Sequence, residues 1–309
     1  MTTTTPPMLV EPEGKVSARK LKAQLRAQEA KTKLSSPWAS GLAIIIAILW
    51  TLPTFGLLVN SLRTTPGPTT SGWWKFWSNG IGFTFENYTN AWTGNGAQPL
   101  SDFILNSIII TLPAVFIPIT LALLAAYAFA WIDFKGKNIL FIAVFVMQVV
   151  PIQVALIPLN TVYVKLGLNT SFWSIWLSHT IFGLPLAIFL LHNFMKEIPG
   201  SLIEAARVDG AGHVRIFFQV LMPLLVPAIA SFGIFQFLWV WNDLLVALTF
   251  SSQNTSPITK GIQQLTTQFG QQGNILPAAA VLAMLVPLAV FLSLQRFFVR
   301  GLLAGSVKG

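Results

Sequence analysis

Six apolar stretches, each long enough to cross a lipid bilayer and nearly free of charge, constrain this chain more than any other feature of its sequence. They run Trp38–Leu62, Phe103–Ile132, Ile139–Val164, Phe172–Met195, Leu221–Phe250 and Leu276–Phe298. About 20 such residues span a hydrocarbon layer of about 30 Å. Inside that layer each backbone N–H and C=O must be satisfied within the segment, which selects the helix. The sequence therefore predicts an all-α integral membrane protein with six transmembrane helices. The second and fifth stretches exceed the length needed, which predicts tilt or a break. Pro113 and Pro118 sit inside the second, where neighbouring helices or a cavity must satisfy the carbonyls they free. The first stretch follows a 37-residue tail and is too long for a signal-peptide core, so it is expected to remain as a span.

Charge supports this assignment. Only 9% of residues are charged and 54% are hydrophobic, whereas soluble domains carry about a quarter charged. The net charge of +9 raises nucleic acid as a partner, but its distribution argues against one. Lys15, Arg19, Lys20, Lys22, Arg26, Lys31 and Lys33 crowd the tail before the first span, together with Glu11, Glu13 and Glu29 and no aromatic residue for base stacking. With the N-terminus inside, fifteen Lys and Arg fall on inner segments and only Arg63, Lys75, Lys165 and Lys260 on outer ones. This bias places both termini in the cytoplasm. The expected organisation is a basic cytoplasmic tail over 1–37 and a transmembrane domain over 38–309, with a cytoplasmic loop at 196–220. The outer loop from Arg63 to Asp102 holds Trp73, Trp74, Trp77, Tyr88 and Trp92, which suits anchoring at the membrane interface. Absence of cysteine removes disulfides and thiolate sites, and His179, His192 and His213 lie scattered without metal-ligand spacing.

The loop between the fourth and fifth spans predicts a short helix. Ser201 followed by Glu204 has capping-box spacing, Pro199 and Gly200 block an earlier start, and Gly210 is placed to end it. Leu202, Ala205, Ala206 and Asp209 share one face, apolar with small residues in its middle. Such a face suits docking by another protein, and it equally suits a connector packed on its own bundle.

The run E-A-A-R-V-D-G, then nine residues, then V-L-M-P resembles the EAA loop of ABC importer permeases. Glu204, Ala205, Ala206, Gly210 and Pro223 match that pattern, with Asp209 inside it; Val220 and Met222 replace the usual Ile and Leu. The resemblance implies a coupling helix seated in a cleft of an ATP-hydrolysing subunit. F-L-W-V-W-N-D-L-L-V-A-L in the fifth span and L-Q-R-F-F-V-R-G-L-L-A-G-S-V-K-G at the C-terminus are similar to the carbohydrate, MalG-like branch of that family. They imply a MalG-like type I ABC importer fold in the bacterial cytoplasmic (inner) membrane. They also imply four kinds of partner: a second permease, two ATP-binding subunits, an extracytoplasmic sugar-binding protein and membrane lipid. No G-x-x-x-x-G-K-[ST] motif is present, so ATP and Mg are expected in the partner subunits, with no cofactor and no catalytic residue on this chain.

Trp239, Asn242 and Asp243 are the candidate substrate-path residues. A carboxylate at the centre of a span costs about 2.5–3.5 kcal/mol on insertion scales. Asp243 is thus expected to face water, pair with a neighbour, or lie near the outer surface. Indole, amide and carboxylate groups suit a sugar, although Trp239 and Trp241 do not share a helical face; helix packing and gating are the other roles open to these residues. The functional expectation is an ATP-driven importer of di- or oligosaccharides. The alternatives are an importer permease for glycerol-phosphate or amino acids, and a self-sufficient secondary carrier.

Overall fold

A computed structural model describes residues 37–64, 71–77, 82–94, 98–268 and 275–306 of the chain. The chain divides into two units, residues 1–56 and 57–309. The described part of the first is the body of helix α1, Pro37–Leu62. The second unit holds α2 (Glu86–Thr93), α3 (Leu100–Trp131), α4 (Lys137–Met147), α5 (Ile152–Lys165) and α6 (Phe172–Glu197). It continues with α7 (Gly200–Val208), α8 (His213–Trp241), α9 (Leu245–Phe250), α10 (Ile258–Gln268) and α11 (Ile275–Ser306). Among the described residues, five helices (α1, α3, α6, α8 and the Ile275–Gln295 part of α11) are long and apolar enough to cross a membrane, and the bent pair α4–α5 makes a sixth if counted as one span. The basic tail lies outside the described residues.

Helix α3 runs along α6, and α8 lies against α3, α6 and α11. Small side chains make the close approach possible: Ala114, Ala122 and Ala126 of α3 and Ala187 of α6 are fully buried. Membrane helices associate through such close packing, because lipid offers no hydrophobic gain between them.

The prolines show how a membrane interior handles broken ladders. Pro113 cannot donate to Ile109, and Pro118 cannot donate to Ala114, yet α3 stays continuous. The Trp176 indole N–H of α6 donates to the Ile109 carbonyl at 3.0 Å, and the Gln236 amide of α8 donates to the Ala114 carbonyl at 3.2 Å. The same device serves α11, where Pro287 leaves the Ala283 carbonyl free and the Trp241 indole N–H reaches it at 3.3 Å. Trp241→Phe should keep the ring's stacking on Phe237 but orphan that carbonyl. The expected cost is about 1 kcal/mol, read as a lower thermal unfolding midpoint of the purified protein; an unchanged midpoint counts against the role.

Two local expectations need correction. The third stretch is not one straight helix: α4 and α5 meet at a bend of 100°. The fifth starts earlier than expected, at His213, and ends at Trp241; Asn242–Leu244 interrupt it before α9. Helix α11 continues through Ser306. After α1, the buried Arg63 guanidinium donates to Asn60 Oδ1 and the Ser71 carbonyl at 3.0 Å and to Ser71 Oγ at 2.7 Å. Asn87 of α2 donates to the carbonyls of Ser61 and Arg63, both at 2.9 Å. These bonds fold the start of the following loop back on the end of α1.

Candidate coupling helix and membrane cavity

Helix α7 starts two residues earlier than the capping box requires. Its N-cap is Pro199, with no side-chain cap, so Ser201 lies inside the first turn and the Ser201–Glu204 box does not form. The C-terminal end follows expectation. Gly210 takes φ +79°, its N–H reaches the Arg207 carbonyl at 3.0 Å, and the Ala211 N–H reaches Ala206 at 2.9 Å. This is a Schellman closure, which satisfies the last carbonyls and favours glycine at the left-handed position.

The faces of α7 divide sharply. Ile203 is 2% exposed and belongs to the same apolar cluster as Met195, Ile216, Phe217 and Leu221. Ala206 is half-buried against that cluster. Leu202, Glu204, Ala205 and Asp209 are exposed. The helix thus rides on its own bundle through Ile203 and presents Leu202, Ala205 and Asp209 outward. Ile203 thus makes the connector contact, and Leu202, Ala205 and Asp209 on the other side stay exposed.

Beyond α7 the chain turns into α8 through a π segment, Ile216–Leu221. Pro223, exposed at the start of the regular helix, supplies the reason. It has no N–H for the Gln219 carbonyl, and the ladder widens one turn earlier, where the Met222 N–H reaches Phe217. The elbow is tied to α3: Tyr127 Oη lies 2.7 Å from His213 Nδ1, and the Tyr127 ring meets Phe217 edge-on. Neither tie nor the Ile203 anchor was visible in the sequence, because each joins residues that only tertiary packing brings together.

At the other end of α8 the substrate-path candidates separate. Asp243 Oδ2 accepts the N–H groups of Val246 at 2.9 Å and Ala247 at 3.3 Å, so the carboxylate caps α9. His179 Nε2 of α6 lies 4.0 Å from it, and Thr259 Oγ1 donates to the Asp243 carbonyl at 2.7 Å. Asp243 therefore sits in the interruption of the span as a local organiser. Asn242 is exposed and donates to Leu238 at 2.7 Å. Trp239 meets His179 edge-on and lines a cavity of about 290 Å³ between α6, α8 and the α4–α5 bend. Trp241 points elsewhere, into the α11 contact described above. Nearby, Lys260 Nζ donates to the Ser251 carbonyl at 3.1 Å and to its Oγ at 2.9 Å, and burial holds the ammonium below the usual lysine pKa. Among the described residues no group of three His, Asp or Glu is placed to hold a metal ion.

Comparison with known proteins matches residues 118–303 to the family described as binding-protein-dependent transport system inner membrane component. The osmoprotective compounds uptake permease protein GgtD of Synechocystis sp. is 48% identical over 86% of this chain and 90% of that one. The alpha-glucoside transport system permease protein AglG of Rhizobium meliloti is 45% identical over 74% of this chain and 61% of that one. Among solved structures, a bacterial ABC transporter involved in the import of the acidic polysaccharide alginate aligns with TM-score 0.70 at 19% identity, covering 93% of this chain and 99% of that chain.

Proposed function

We infer the function of this chain from its family: it belongs to the inner membrane components of binding-protein-dependent transport systems. It is a multi-pass membrane protein with the ABC importer permease fold. In our reading it is one permease half of an ATP-driven sugar importer, with six spans and both termini in the cytoplasm. A second permease completes the path, two ATP-binding subunits hydrolyse ATP, and an extracytoplasmic binding protein delivers the solute. ATP and Mg belong to those partners, and this chain catalyses no bond-breaking step.

The observation that carries the reading is α7. A helix pinned to its bundle by Ile203 while Leu202, Ala205 and Asp209 face outward can pass a push from a docked ATPase into α6 and α8. Ala205 and Ala206 keep the contact close, Glu204 and Asp209 border it, Gly210 closes the helix, and Pro223 sets the elbow behind it. ATP-driven closure of the ATPases would bias the spans between two arrangements, inward-facing and outward-facing. The bonds that tie Tyr127 to His213 and Phe217 carry that motion to α3.

The substrate class follows from the relatives and the path. GgtD is named for osmoprotective compounds and AglG for alpha-glucosides, and no charged side chain lines the cavity beside Trp239. Trp239 and Asn242 are offered to the solute, while Asp243 shapes the path from behind as a cap. A phosphorylated or amino-acid solute would call for a compensating charge. Uptake in cells should be competed by neutral glycosides and left unchanged by glycerol-phosphate or amino acids. The opposite pattern of competition would sink the sugar assignment.

A further inference from the structure

The third span breaks in mid-course, and the break is open. Gln148, Val149, Val150 and Pro151 between α4 and α5 are all exposed, and no side chain caps the start of α5. A tight turn takes up the last carbonyls of α4, with the N–H groups of Gln148, Val149 and Val150 reaching Phe145, Val146 and Met147 at 3.1, 3.0 and 3.3 Å, while the first N–H groups of α5 have no preceding turn to bond. Backbone that leaves the helix at membrane depth persists only where protein buries it or where it lines a water-filled cavity. A cavity is there. About 290 Å³ in volume, it is bordered by Gln148 and Ile152 at the break, Gly183 of α6, and Gln236 and Trp239 of α8.

The polar members of its wall are held in place. Gln236 is 1% exposed, and one of its N–H groups is committed to the Ala114 carbonyl that Pro118 frees. Gly183 makes room for that amide: a Cβ at this position would stand 2.8 Å from Gln236 Nε2. Trp239 is braced edge-on by His179. Gln148, by contrast, is exposed. The result is one buried amide, one exposed amide and an indole around a space that no charged side chain lines. Its volume lies at the lower end of the range for ligand pockets, about 300–1,000 Å³, which suits a single ring rather than a chain.

We propose that this cavity is a transit site for one neutral sugar ring, with Trp239 supplying the apolar surface and Gln148 and Gln236 the hydrogen bonds to its hydroxyls. Amides both donate and accept, as hydroxyls do, so they match a sugar in several orientations and suit a site that must release its ligand. An anionic solute finds no cation here to repay its desolvation. The proposal rests on the importer reading above and deepens it by assigning a solute contact to this permease.

The test uses the complete transporter with its binding protein, carrying Gln148→Leu, Trp239→Leu, or the control Gln153→Leu, an exposed glutamine on α5 that does not line the cavity. Uptake of a neutral glycoside, ATPase stimulation by loaded binding protein, and recovery of the second permease are measured together. Gln148→Leu and Trp239→Leu should each lower uptake about tenfold, the scale of one lost polar contact to a ligand. ATPase stimulation and recovery of the second permease should hold, and Gln153→Leu should transport as wild type. Gln148 is exposed, so its replacement leaves the fold intact even if Trp239→Leu does not. Unchanged uptake in Gln148→Leu overturns the proposal. So does loss of the second permease from that variant, which would make the break an interface between subunits. Failure of the importer reading shows separately, as absence of ATP-dependent glycoside uptake in the wild type.

Discussion

Ala205→Trp should reduce uptake by about a hundredfold or more while the amount of protein in the membrane stays normal. Ala205 is exposed on α7, beside Leu202 and opposite the buried Ile203. An indole there has open space in the isolated chain, so folding is spared. In the assembled transporter it would push the ATPase away from the helix. Interface hot spots are worth about 2–4 kcal/mol or more, and about 2.7 kcal/mol is a hundredfold. The neighbouring Ala206 is a less selective probe, because it is half-buried on its own core and Trp there would strain the bundle as well as the contact. Uptake assays paired with immunoblots of the membrane fraction check this; normal uptake by Ala205→Trp would remove α7 from the coupling path.

The second large effect is on stability. Gly183→Val places a Cβ 2.8 Å from Nε2 and 2.9 Å from Oε1 of Gln236, deep between α6 and α8. Either the helices separate or the amide moves and abandons the Ala114 carbonyl. Overpacking costs about 1–3 kcal/mol, and the lost bond adds about 1 kcal/mol, so the purified protein should lose about 3 kcal/mol and unfold at clearly lower temperature. Adding Gln236→Ala removes the atoms that clash. The double variant should be more stable than the sum of the two single effects predicts, and strict additivity would show that the two side chains do not meet.

These cases mark where local sequence stops informing. The spans are legible because bilayer crossing is a demand on composition and length, which a run of residues meets or fails on its own. Whether a proline breaks a span is not local. Pro113 and Pro118 leave α3 continuous because Trp176 and Gln236, 67 and 122 residues away from the carbonyls they serve, supply the missing donors. The third span, read as one helix, is bent at Pro151, whose α5 has no side-chain cap. At the loop, the left-handed demand at Gly210 was readable because it belongs to one residue's φ. The capping box failed because the helix begins at Gly200, a shift of two residues that moves Ser201 inside. Leu202, Ala205 and Asp209 are exposed, as their spacing implied, whereas Ala206 of the same predicted face is half-buried against the bundle. What holds that face in place, Ile203 against Ile216 and Phe217, depends on how the chain returns from the loop. Asp243 illustrates the same limit: its type and position left solute contact, helix packing and gating open, and only the interrupted helix reveals a carboxylate that accepts the Val246 and Ala247 N–H groups.

The central claim is that this chain moves solute only as part of an ATP-driven assembly. The direct test is to tag it, extract it gently from its native membrane, identify what accompanies it by mass spectrometry, and reconstitute the material in vesicles. The account predicts a second multi-span permease and an ATP-binding subunit in the extract, with glycoside uptake that needs ATP and the binding protein. Recovery of this chain alone, transporting by itself without ATP and driven by an ion gradient, would contradict it.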